Sequence, residues 1–145
     1  MLRRTRILVA VVVVAVAVAL AACHSTPSEK AAKALPGRTF VLQSSSGAGV
    51  VTGVTVYVQF TDSGFTASAR CNHASGTYSI EQERLVAGVM ELTAKGCDPE
   101  RYAEDDWILK FFSSKPKVAI QDNTLTMWND TSSLILLDRT VAPAQ

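Results

Sequence analysis

The sequence predicts an α+β domain: an antiparallel curved sheet or partly open barrel of about eight strands, with one helix packed across it. Three observations carry this expectation. Short runs in which apolar and polar residues alternate recur along the chain, the pattern of strands with one buried face. The period changes once, behind an Asp98-Pro99-Glu100 start signal. Links between the runs are short, which favours antiparallel neighbours.

Taken in order, residues 38–42 read as a first short strand. Residues 54–60 alternate, with Val54, Val56, Val58 and Phe60 on one face and Thr55, Tyr57 and Gln59 on the other. The Thr61-Asp62-Ser63-Gly64 turn leads to a strand over 65–71 with Phe65, Ala67, Ala69 and Cys71 inward, so the two runs form a hairpin. Strands over 76–80 and 85–92 follow, joined by a polar turn. Asp98 then serves as helix N-cap, Pro99 as the first helical residue and Glu100 as an acid in the first turn. The helix runs to about Phe112. It presents Tyr102, Trp107, Ile108, Leu109, Phe111 and Phe112 as a broad apolar face and leaves Glu104, Asp105 and Asp106 solvated. After Pro116 three short strands make a meander: Val118 with Ile120, Leu125 with Met127, and a last strand over 134–138.

Ahead of the domain, Arg3, Arg4 and Arg6 precede an unbroken apolar run over residues 7–22. That length suits the core of a signal peptide and falls short of the roughly 20 residues of a bilayer span. The run ends in Leu20-Ala21-Ala22-Cys23, which looks like a bacterial lipobox, with small residues before the cut and a thiol to receive a diacylglyceryl group. The expected organisation is a signal peptide over 1–22, a lipidated Cys23 opening a flexible tether over 23–37, and a domain over 38–140. Acyl chains at Cys23 make a membrane the first expected partner, each buried CH₂ contributing roughly 0.8 kcal/mol. The domain would then sit outside the cytoplasm.

Composition narrows the remaining classes. With 14 Lys+Arg against 13 Asp+Glu, a net charge of +1 and 48% hydrophobic residues, the 145-residue chain is not a disordered polyelectrolyte. No basic stripe exists beyond the N-terminal arginines, so nucleic acid is not an expected partner.

Without Cys23, only Cys71 and Cys97 remain, and a disulfide between them is the expected state in an oxidising compartment. Closing that loop should stabilise the fold by about 3 kcal/mol in the chain-entropy model. The competing reading makes Cys71 a nucleophile with His73 as base, but nothing in the sequence is placed to orient that histidine. Cys71, His73 and Cys97 also lack the fourth ligand and the spacing of a zinc site, so neither metal nor cofactor is expected.

The run from Gly64 to Tyr78, with Cys71-Asn72 and Gly76-Thr77-Tyr78, followed by Thr93-Ala94-Lys95-Gly96-Cys97 before the helix, resembles the META domain of HslJ-like envelope lipoproteins. Asn123-Thr124-Leu125-Thr126-Met127 and residues 134–137 look like that family's last two strands, and the resemblance spans roughly residues 38–139. It departs at Arg70, where the family usually carries glycine. The resemblance implies a single α+β domain of antiparallel strands with one helix, exported or lipid-anchored, linked with envelope stress and drug tolerance. It supplies no catalytic residues.

Other residues each have a plain structural use. Asn72 is expected to bond the turn backbone near Gly76, with surface recognition by Asn72 and His73 as the alternative. Trp107 and Trp128 could floor a ligand groove or simply pack. Lys110, Lys115 and Lys117 would suit an anionic lipid or cell-wall polymer, or form a solvated edge. Asn129-Asp130-Thr131 matches a glycosylation sequon without meaning in a bacterial lipoprotein. The expected function is a lipid-anchored, non-enzymatic binding or scaffolding module, engaging an envelope protein. The alternative is a carrier for a lipid or other apolar ligand in a half-open barrel.

Overall fold

Alternation in the sequence becomes inside and outside of a barrel. The computed structural model describes residues 25–47, 55–68 and 71–142. Among these, eight strands pair antiparallel in sequence order and β8 returns to β1: β1 (Thr39–Gly47), β2 (Tyr57–Phe60), β3 (Gly64–Ser68), β4 (His73–Glu81), β5 (Arg84–Leu92), β6 (Lys117–Gln121), β7 (Thr124–Trp128) and β8 (Ser132–Asp138). The barrel is closed, one step beyond the partly open form that the sequence suggests. Val54, Ala69 and Arg70 lie outside the described residues, as does Cys23 with its signal segment.

Val58 and Phe60 of β2, Phe65 and Ala67 of β3, and Leu125 and Met127 of β7 point inward and are buried, while Tyr57 and Gln59 stay exposed. Aromatic rings fill the interior: Phe60 meets Tyr78 edge-on at 5.2 Å, and Phe65 stacks on Phe112 at 4.8 Å. Between β4 and β5 the register slips, so that Gly76 faces Met90 and Tyr78 faces Ala87. A Cβ on Gly76 would come within 2.9 Å of the Val89 carbonyl oxygen, so this bulge requires glycine there. It also turns Val89 outward, leaving it 90% exposed.

Two helices pack on the barrel. The first, α1 (Pro27–Ala34), falls where the sequence reading placed a flexible tether and corrects it. Thr26 and Glu29 form a capping box, Thr26 Oγ1 accepting from Glu29 N at 3.2 Å and Glu29 Oε2 accepting from Thr26 N at 2.9 Å. Those bonds from Thr26 hold the Glu29 carboxyl below its usual range. Ala31 and Leu35, four apart and therefore on one helical face, are buried in the barrel core. The helix packs against β4 and β6, and its Ser28 Oγ accepts from Glu83 N in the β4–β5 turn at 2.8 Å.

The second helix, α2 (Pro99–Ser113), has the expected Asp98 cap, whose side chain accepts from Arg101 N at 3.0 Å. Its buried face differs from the expected one. Glu104, Asp105, Ile108, Phe111 and Phe112 turn inward, while Tyr102 is 47% exposed. Of the acidic triplet only Asp106 is solvated, paired with Lys110 at 2.6 Å. At 3.6 residues per turn, positions 104, 108 and 111 line up with 105 and 112, and this stripe takes two acids in with it. The helix packs against β3, β4 and β5 beside the seam where β5 and β6 share only the Arg84–Lys117 pair.

The start and end of the domain are tied by Arg38 and Asp138, whose Nε and Oδ2 lie 2.5 Å apart. Burial pushes the Asp138 carboxyl up, but hydrogen bonds from the Thr140 side chain and backbone and from Arg38, with the Arg38 charge, outweigh it and hold the group below its ordinary value. A depressed folded-state pKa gives stability that is present above the unfolded value and lost as pH falls through the folded one. Urea midpoints measured between about pH 5 and pH 2 should therefore fall less steeply for Asp138→Asn than for the native chain. Parallel slopes would contradict the assignment.

Candidate functional site

Cys71 stands two residues before β4, and Cys97 two residues before α2. Their Cα atoms lie 6.4 Å apart and a disulfide joins them, 26 residues apart in sequence. Cys71 is thus no free thiol, and its neighbour His73 is exposed at the start of β4.

Beside the disulfide lies a buried polar cluster centred on Asn72, which is 2% exposed. Its Nδ2 donates to Asp105 Oδ2 at 2.7 Å, and its backbone N donates to Asp105 Oδ1 at 3.2 Å. Its Oδ1 accepts from Thr93 Oγ1 and from Lys95 N, both at 2.9 Å. Nδ2 also lies 3.7 Å from Cys71 Sγ and 3.6 Å from Cys97 Sγ. The expected bond to the turn near Gly76 gives way to these partners, which come from β4's approach, the Thr93–Cys97 stretch and α2. Around them, Thr93 Oγ1 accepts from His73 N at 3.0 Å, and Tyr102 OH donates to Lys95 O at 3.3 Å. Asp105 is the member that sequence reasoning missed.

This cluster is built to hold rather than to react. Cys71 Sγ, Cys97 Sγ and an Asp105 oxygen lie within 4.8 Å of one another, a spacing that a metal ion could bridge. Metal binding needs thiolates, however, and in the disulfide neither sulfur carries that charge. Asn72 uses both ends of its amide inside the protein and has little left for a ligand.

Among the described residues no ring contact joins the two tryptophans. Trp107 stacks on Phe111 at 5.5 Å and packs against the core. Trp128 is half-buried on the outer face of β7, opposite Lys117 and Ser133. Asn129 shapes the β7–β8 turn, its Oδ1 accepting from Thr131 N at 3.0 Å and Ser132 N at 2.8 Å. On the same outer face as Trp128, the β6–β7 hairpin carries an open cavity of about 420 Å³ lined by Ala119, Gln121, Asp122, Asn123, Thr124 and Thr126.

Among the described residues no helix is long and apolar enough to cross a membrane. The family model of the META domain matches residues 33–141. The fold is similar to the NMR structure of a protein from Burkholderia xenovorans, with a TM-score of 0.59 at 17% identity over 82% of this chain and 94% of that one. A second NMR structure is similar with a TM-score of 0.60 at 23% identity, covering 79% of this chain and 95% of the other. No curated protein matches the sequence.

Proposed function

Because the chain belongs to the META domain family, we propose that it is a lipid-anchored, non-enzymatic module of the cell envelope, whose closed barrel supports binding or scaffolding contacts. The observation that carries this reading is the lipobox-like Leu20-Ala21-Ala22-Cys23 placed directly ahead of α1. Between Cys23 and Pro27 stand only His24, Ser25 and Thr26, which reach about 3.5 Å each when extended. An acylated Cys23 would therefore hold the α1 end of the barrel against the membrane rather than on a long leash. The disulfide suits an oxidising compartment. The groups that might do chemistry, Cys71, Cys97, Asn72 and Asp105, are consumed by the buried cluster. The carrier reading needs space beneath the helix, where Phe65 and Phe112 stack with Phe60 and Tyr78 nearby.

The test is metabolic labelling with an alkyne-tagged palmitate in a bacterial host, followed by fractionation. The native chain should carry the label and sediment with membranes, whereas Cys23→Ser should lose both properties. Label retained by the variant, or a native chain that is unlabelled, would refute the anchor.

A further inference from the structure

The geometry points to the outer face of the β6–β7 hairpin as a binding site for a neutral glycan. This goes beyond the anchoring proposal and does not depend on it. On that face the cross-strand pair Ala119–Thr126 sits between Gln121–Thr124 on one side and Lys117–Trp128 on the other. Small side chains between larger ones leave the trough of about 420 Å³. Residues two apart on a strand are spaced by roughly 7 Å, the scale of one pyranose ring.

Apart from the Asp122 carboxylate, the trough is lined by uncharged groups. Gln121, Thr124 and Thr126 offer an amide and two hydroxyls, none of which has a hydrogen-bond partner among the described residues. An apolar ligand would strip water from those groups and return nothing. A phosphate-bearing ligand would meet the Asp122 carboxylate, while the nearest cations are Arg38, already engaged by Asp122 O, Asn123 and Asp138, and Lys117 in the outer row beside Trp128. A polyol matches both donors and acceptors. One row along from Thr126, the half-buried Trp128 indole supplies the apolar surface that a sugar ring can cover.

The site is also held in shape. Arg38 Nη2 donates to Asp122 O at 3.1 Å and to Asn123 Oδ1 at 3.0 Å, and Asp138 N donates to Asn123 O at 2.8 Å. The same Arg38 is paired with Asp138, so the turn at the trough's end is braced by the neighbouring end of β8 and the start of β1. Little ordering is left for a ligand to impose.

The test uses the full chain in a sugar-free zwitterionic detergent, with Trp107→Phe so that emission reports Trp128 alone. Chitotetraose and cellotetraose are titrated to about 10 mM, the range of a weak single site. A saturable change in Trp128 emission with at least one probe is expected. It should weaken by about tenfold or more in Thr126→Val and Gln121→Ala, both surface changes that leave the melting temperature in place. No saturable change with either probe overturns the proposal. So does a response that survives both substitutions, which would put the sugar elsewhere.

Discussion

Replacing Asn72 by alanine is expected to lower the stability of the domain by about 1–3 kcal/mol, because it leaves a buried Asp105 oxygen without its side-chain donor. Asp105 is 2% exposed and, among the described residues, receives two hydrogen bonds, both from Asn72. The substitution keeps the backbone donor and removes the shorter side-chain one. The Thr93 hydroxyl and the Lys95 N–H lose their shared acceptor in the same step. The unsatisfied buried oxygen of Asp105 costs about 1–3 kcal/mol, whereas Thr93 and Lys95 are exposed and turn to water. Urea unfolding with the disulfide intact measures the loss. Pairing the change with Asp105→Ala separates the interaction from truncation, since removing both partners should cost less than the sum of the singles. A single-variant loss under about 1 kcal/mol would show that Asp105 finds water and that the cluster does not hold the disulfide region together.

That cluster marks where sequence reading stopped. Alternation fixes which face of a strand is buried from neighbours two residues away, so Val58, Phe60, Phe65, Leu125 and Met127 were readable one segment at a time. The Asp98 cap and the Cys71–Cys97 pair were equally local or arithmetical. Asp105 was not, because among the described residues its hydrogen-bond partner is an asparagine 33 residues earlier in the chain, and a run of three acids otherwise reads as a wet helix face. The β6–β7 trough escaped for another reason. Its neutral side chains carry no titratable signal, and its depth arises from cross-strand pairing rather than from any motif. The first helix was a different kind of failure, for its Thr26-Pro27-Ser28-Glu29 box stood in the sequence. Composition suggested a tether, and a buried leucine at the helix's far end was what contradicted it.

Leu35→Asp separates those two descriptions of residues 23–37 by the full stability of the domain. In a tether an exposed leucine could become aspartate with a change within about 0.5 kcal/mol. In the structure Leu35 is 0% exposed and packs in the core with Ala31. The substitution removes a fully buried side chain, worth roughly 2–5 kcal/mol by the cost of leucine truncation, and adds a carboxylate with no cation planned for it. The sum approaches the 5–15 kcal/mol that holds a typical domain folded. The variant is therefore expected to lose cooperative thermal unfolding, or to undock α1 and melt far below the native chain. Lys33→Asp, on the exposed side of the same helix, should melt close to native and control for charge alone. The comparison also bears on the membrane end of the molecule. If Leu35→Asp melts like the native chain, α1 is dispensable and the spacer after Cys23 lengthens by the whole helix. If it collapses as expected, the three residues ahead of Pro27 are all the slack that a lipid anchor would leave the barrel.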